Sequence, residues 1–348
     1  MDNQFNDKLA DAFELLATIL RTLGDMEPEP VEPEPEPEPE PDTSAWPSEF
    51  DLPYWEPQSE DPECLVVARQ AGCFDKSLVT ETVGGLTIKE DGAVIENLRI
   101  LGPVTIKAHD VTIRNCIIDC SNRAGFEVVG QWYCVKNTDN GGYEGLLVED
   151  CDLVGSASSG VYARKGTFRR LNVYEHAGDG MKIAGPAIVE ECWVHHIGFK
   201  DGSHADAVQM QDSGSGSTFR RNYMDLPYYD SVYYHGQPYK SNACFMIQTK
   251  SATEDLTDIL IEDNWLRGGN YTLYFTRKST SEAIVRDCTV RGNKLSWAGG
   301  RDIEKRRTLG IQTHISVSEG CGPIRLQGNS WYELAGDDQE FTNRVFGG

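Results

Sequence analysis

Nine short segments of the chain repeat one arrangement of apolar and polar positions. They are IENLRI from Ile95, IRNCII from Ile113, VEDCDL from Val148, FRRLNV from Phe168, VEECWV from Val189, FRRNYM from Phe219, IEDNWL from Ile261, VRDCTV from Val285 and LQGNSW from Leu326. Positions one and six are apolar throughout, positions two and three are polar or turn-forming, and position four is Cys, Asn or Leu. Such a run describes a strand bending into the next strand. Units of roughly 18 to 24 residues, stretched where loops are inserted, each bury an apolar stripe that only neighbouring units can cover, so they stack as a solenoid. Asn at equivalent corners can hydrogen-bond from coil to coil, and Cys can replace it as a small buried residue. No LxxLxL run is present, which sets leucine-rich repeats aside.

The pattern resembles the right-handed parallel β-helix of the pectin-lyase-like superfamily, the fold of pectate lyases, polygalacturonases and phage tailspikes. The resemblance covers residues 84–335 and implies an all-β solenoid. Before it, Phe5, Leu9, Ala12, Leu16, Ile19 and Leu23 are spaced 4, 3, 4, 3 and 4, the seam of an amphipathic or coiled-coil helix over residues 1–24. Residues 25–46 are an acidic Pro-Glu linker that favours extended polyproline II. In residues 47–83, Asp61-Pro62-Glu63 and Gly72 bracket a short apolar helix expected to cover the first coil as a cap. Residues 336–348 form a C-terminal tail.

The formal net charge of −23 argues against binding nucleic acid or an anionic membrane, which needs a Lys/Arg surplus. No run is long and apolar enough to span a bilayer, and the N-terminus reads as no secretory signal. Of ten cysteines, Cys116, Cys151, Cys192 and Cys288 share position four and are expected as stacked buried thiols; Cys64 and Cys73 are close enough in sequence to pair.

Chemistry belongs on the outward side of one strand per coil. Aligning GFEVV (Gly125), GVYAR (Gly160), GMKIA (Gly180), AVQMQ (Ala207), FMIQT (Phe245), LYFTR (Leu273) and GIQTH (Gly310) projects Glu127, Tyr162, Lys182, Gln209 and Gln312 outward. Two positions further on stand Val129, Arg164, Ala184, Gln211 and His314. Coils lie about 4.8 Å apart, so Tyr162, Lys182 and Gln209 are expected to form one row. His176-Ala-Gly-Asp179 and His204-Ala-Asp206 place a carboxylate at two successive strand entrances, and five of the seven histidines fall between residues 176 and 235. A lone Asp there is a loop cap; the pair beside Lys182 and Gln209 points to a site. Tyr233, Tyr234 and His235, in the tyrosine-rich insertion that follows, are expected to overhang it, since aromatic faces suit sugar rings.

Three chemistries fit. Asp179 and Asp206 can be the acid and base of glycoside hydrolysis. Lys182 can abstract a proton beside a uronate carboxylate, with an Asp-held cation such as Ca2+ neutralising it, as the lyase resemblance implies. Alternatively the row, with Tyr162, Arg164, Gln209 and Gln211, only binds glycan. Asn137-Thr138-Asp139 matches one short polygalacturonase element, but the adjacent Asp pair, GHG and RIK do not follow, nor does the pectate-lyase Arg motif. The expected protein is a tailspike-like appendage that recognises a surface polysaccharide, outside the cell or on a virion, with cleavage as lyase or hydrolase left open. It would assemble, as a trimer by analogy, or dock to a larger particle through residues 1–24. The rival is a non-catalytic structural or adhesive fibre.

Overall fold

The computed structural model describes residues 62–121, 132–200, 203–226, 241–296, 315–332 and 344–346. The expected helix over 1–24 and the linker lie outside them. The chain separates at Pro47/Ser48 into two units, and all described residues belong to the second.

Each coil of this unit contributes strands to three faces. The first face is a ten-stranded sheet running from Val94–Glu96 through Gly166–Arg169 to Ile324–Gln327 and Arg344–Phe346. The second and third faces continue into one another as a 17-stranded system bent at a corner; Asn172–Tyr174 lies on the second and Asp179–Ile183 on the third. Pairings are parallel and step from one coil to the next, as stacking of repeats requires. One pairing reverses: Arg344–Phe346, within the expected tail, runs antiparallel to Ile324–Gln327 and covers that sheet edge. A single apolar core threads the coils, with Ile113, Val148, Phe168, Val189, Phe219, Ile261 and Val290 stacked in register.

The repeat has a physical assignment for every position. Position one is the core residue of the first face. Position three turns the corner with left-handed φ at Asn97, Asn115, Asp150, Arg170, Glu191, Arg221, Asp263, Gly292 and Gly328, from 48° to 64°. Asn, Asp and Gly tolerate this region; Arg and Glu do not do so readily, and the stack holds them there. Position four forms the expected ladder. Asn222, Asn264, Asn293 and Asn329 bond side chain to side chain at 2.8–2.9 Å, and each bonds the preceding Asn's backbone N–H, or that of Cys192. Cys192 carries on the same pattern, donating its thiol to the Glu190 carbonyl and accepting the Leu171 N–H at 3.4 Å.

Three expectations need correction. The eighth repeat is VRGNKL from Val290, not VRDCTV from Val285, because Val290 pairs with Ile261 and Leu326 while Asn293 joins the ladder. Cys288 is therefore buried at the start of a first-face strand instead of standing at position four. The described third-face strand that pairs with Ser159–Ala163 is Tyr133–Asn137, whereas GFEVV lies outside the described residues. Likewise Ile315–Val317 is the described partner of Tyr271–Arg277, aligning Leu273 with Ile315, and GIQTH lies outside the described residues.

The helix α1, Pro62–Gln70, is present, and the chain leaves it at Gly72 with φ 100°. It does not cap the first coil. Cys64, Val67 and Ala68 pack on Trp193, Tyr223 and Trp265, which project from the second face. Glu63 pairs with Lys294, Gly72 N–H bonds the Arg170 carbonyl, and the Cys73 thiol bonds Asn115 at 3.2 Å. The segment therefore runs as a strap down the flank, from late coils back to early ones, while Glu81–Ile88 of the first coil stays largely exposed. All ten cysteines are buried and none is in a disulfide, so Cys64 and Cys73 do not pair. No helix among the described residues is long and apolar enough to cross a membrane.

Candidate functional site

The third face bends into each coil in a distinctive way. At its entrance two consecutive residues turn to the core: Ala207 and Val208 in one coil, Cys244 and Phe245 in the next. Gly180 fills the first of these places beside Met181, where a Cβ would stand 2.5 Å from Val194 Cγ1 and 2.7 Å from the Ala207 carbonyl. Because two neighbours face inward, the residues flanking them share the outer side. Asp179 thus meets Lys182, and Asp206 meets Gln209, each three positions apart.

The register places the expected row side by side. Lys136 pairs with Tyr162, Tyr162 with Lys182, Lys182 with Gln209, Gln209 with Met246, and Met246 with Tyr274. Met246 and Tyr274 enter this row because FMIQT and LYFTR sit one residue out of step with AVQMQ. The Tyr162 ring lies 4.8 Å from that of Tyr133. In the parallel row, Gln211 donates to Gln248 at 3.1 Å, and Arg164 has no ion-pair partner among the described residues. Lys136, which the aligned segments missed, was hidden by the mistaken choice of strand in its coil; the Val-Lys-Asn alternation at 135–137 was the available signal.

The acids are not open to solvent. Asp179 is 5% exposed and Asp206 1%. Asp179 Oδ1 accepts the Asp206 backbone N–H at 2.8 Å, and its Oδ2 lies 3.2 Å from Lys182 Nζ. Asp206 Oδ1 accepts from Asn242 at 2.8 Å, and Oδ2 from Gln209 at 3.3 Å. Burial raises the Asp179 carboxyl above the usual range against the pull of Lys182. Burial and the nearby Asp179 push Asp206 up further. Each acid therefore does structural work at a coil corner and also holds an outward side chain, Lys182 or Gln209, in the row. Tyr162, Arg164, Lys182, Gln209 and Gln211 are half-buried, and His204 is exposed at the strand entrance.

Three of the clustered histidines, His176, His195 and His196, are buried instead of presented on this surface. His176 is wholly buried, accepting the Ser156 N–H at Nδ1. His195 stacks on Trp193 at 3.7 Å, and its Nδ1 stands 2.6 Å from that of His196. Burial pushes His176 and His196 down to about 3, and His195 well below its ordinary value, so these rings are neutral packing groups. Asn137 of the polygalacturonase-like element is buried and bonds both the Tyr143 and the Lys165 carbonyls, which gives it a turn-holding role.

Tyr233, Tyr234 and His235 lie outside the described residues, as do Glu127, Val129, Gln312 and His314. Residues 122–131, 227–240 and 297–314, also outside, all fall in sequence between a second-face and a third-face strand. Among the described residues no three His, Cys, Asp or Glu side chains come together to hold a metal ion. No protein family, curated protein or solved structure matches the chain.

Proposed function

We propose that the outer surface of the third face binds a polysaccharide laid across successive coils. One observation carries this reading: the in-register row Lys136, Tyr162, Lys182 and Gln209. It offers cation, aromatic, cation and amide at steps of about 4.8 Å, a spacing on the scale of successive sugar units. Arg164, Gln211 and Gln248 add donors alongside. The side chains are held before any ligand arrives, by Asp139 on Lys136, Asp179 on Lys182 and Asp206 on Gln209. Preorganisation of this kind lowers the ordering cost of binding.

The wider reading is a tailspike-like appendage of the right-handed, pectin-lyase-like type. Residues 1–24 would serve as an assembling or docking helix on an acidic stalk, with the protein working on a virion or outside a cell. Its support is the repeat pattern and the heptad seam of the sequence.

Cleavage is the second reading, favoured by the pair of raised carboxyls on adjacent coils. Lys182 would then be the member that meets substrate, with His204 exposed nearby. The near-complete burial of Asp206, which is 1% exposed, favours binding over cleavage, because a general acid must reach the proton it moves.

A polysaccharide panel read by calorimetry, by new reducing ends and by unsaturated-uronate absorbance separates the two. The expected result is binding without product, weakened roughly tenfold (about 1.4 kcal/mol) in Lys182→Gln and in Tyr162→Ala. A glycan bound equally by wild type and both variants sinks the assignment of the site. Product formation abolished by Asp206→Asn at unchanged melting temperature replaces binding with cleavage.

A further inference from the structure

The ten free thiols are not equivalent. Those at position four are locked along the stack: Cys116 donates to the Arg114 carbonyl at 3.2 Å and Cys151 to the Glu149 carbonyl at 3.1 Å, and both are 0% exposed. Cys120 and Cys134 sit instead at the corner between the second and third faces, on either side of residues 121–133. Cys120 ends one second-face strand, and its N–H donates to the Val154 carbonyl at 2.8 Å. Cys134 lies in Tyr133–Asn137, and its thiol reaches the same Val154 carbonyl at 3.4 Å. The Cys120 thiol in turn lies 3.7 Å from the Tyr133 carbonyl, the peptide group that leads into Cys134. The Val154 carbonyl thus joins the two residues, accepting the backbone N–H of one and the thiol of the other, while the Cys120 thiol faces the peptide that leads into Cys134. Both thiol hydrogen bonds are long and weak, and Cys120 is 4% exposed where Cys134 is closed off.

We propose that Cys120 and Cys134 are a redox pair that closes into a disulfide when the protein meets an oxidising thiol-disulfide environment, stapling the corner from which Tyr133 rises beside Tyr162. The exchange needs a small disulfide such as oxidised glutathione. The Cys120 thiolate attacks it and releases one reduced glutathione; the Cys134 thiolate then attacks the mixed disulfide and releases a second. Two protein thiols lose their hydrogens and one external disulfide is reduced to two thiols, so electrons balance. Cys120 attacks first because burial holds the fully closed-off Cys134 thiol well above its usual range. A chain made in a reducing compartment would carry the open form, and the same chain outside it the stapled form.

The test is peptide mapping without reduction after the full-length protein is incubated with oxidised glutathione, together with its thermal unfolding. One linked peptide joining Cys120 to Cys134 is expected, with the other eight thiols still alkylatable after denaturation. The melting temperature should rise and return on adding dithiothreitol, and Cys120→Ser should remove the rise. A linkage through any other pair overturns the proposal. So does the absence of linkage once Cys120 has accepted glutathione, because the second thiol then fails to reach it. Should Cys120 remain unmodified, oxidation in mild denaturant that opens the corner, followed by refolding, decides: no Cys120–Cys134 peptide there also overturns it.

Discussion

Replacing Asn264 measures what the corner ladder contributes. Its side chain is 1% exposed and connects three coils. Oδ1 accepts both the backbone N–H and the side-chain amide of Asn222 at 2.9 Å; Nδ2 donates to the Phe219 carbonyl at 3.0 Å and to Asn293 Oδ1 at 2.9 Å. Asn264→Ala strips the Asn222 backbone N–H of its bond and takes a donor from Phe219, while Asn222 Nδ2 keeps Val189 and Asn293 Oδ1 keeps the Asn264 backbone N–H. Each bare buried group costs about 1–3 kcal/mol, so the loss should total about 3–4 kcal/mol. Asn264→Cys should cost only about 1 kcal/mol. The chain itself provides the precedent, since Cys192 accepts the Leu171 N–H and donates to carbonyls of its own and the preceding coil. Urea unfolding monitored by circular dichroism gives both values, read as midpoint shifts at constant slope. Equal losses for Ala and Cys would refute the hydrogen-bond account and leave side-chain volume as the cause.

Gly180→Ala should destabilise strongly, because its Cβ would lie 2.7 Å from a backbone oxygen that cannot yield, whereas Gly84→Ala, with nothing within 4 Å, should be near neutral; matching melting temperatures would contradict the inward turn. Arg169→Glu should cost about 1 kcal/mol, less at high salt, since it sets three acids side by side with Glu149 and Glu190; a loss independent of salt would point to packing instead. Lowering the pH should destabilise the fold from about pH 6.5 downward. The unfolded chain then takes up protons on His176, His195 and His196, which the native state, with His176 and His196 held down to about 3, refuses. Each contributes a loss approaching ~1.4 kcal/mol per pH unit, and the raised Asp179 and Asp206, which bind protons in the native state, oppose it. A melting temperature flat from pH 7.5 to 4.5 would refute the burial of the three rings.

The stack was legible because its core position is apolar in every coil and its corner position is restricted to few residue types. Position two carried more than its polarity indicated. Glu96, Arg114, Glu149, Arg169, Glu190, Arg220, Glu262 and Arg291 are neighbours in register and alternate in sign along eight successive strands of the first face. That alternation would have exposed the misplaced eighth repeat only through the ladder beside it: Val285-Arg286 and Val290-Arg291 both satisfy the sign, and Asn293 alone decides. The early third-face strand was missed for a related reason. GFEVV imitates the Gly-led strands of later coils, while Tyr133–Asn137 begins with an aromatic residue and lacks that lead. The strap could not be read at all, since Cys64, Val67 and Ala68 show that a helix has an apolar side but carry no information on which coil will meet it.

The candidate site divides along the same line. Lys182 and Gln209 follow from strand alternation, and their row needed only the register. Whether Asp179 and Asp206 react or hold depends on the bend before the strand, where two inward residues bring position i against position i+3. Sequence shows the His-x-x-Asp and His-x-Asp runs but not this bend, so cap and catalyst look alike there. In the folded chain the two demands pull apart. The burial that lifts Asp206 toward a proton-holding state also surrounds it with Asn242, Gln209 and the strand backbone, leaving a substrate no approach to its oxygens. A carboxyl in that position serves the surface through the amide it orients, which is why the proposed glycan contact falls to Lys182, Gln209 and Tyr162 and the acids belong to the architecture beneath them.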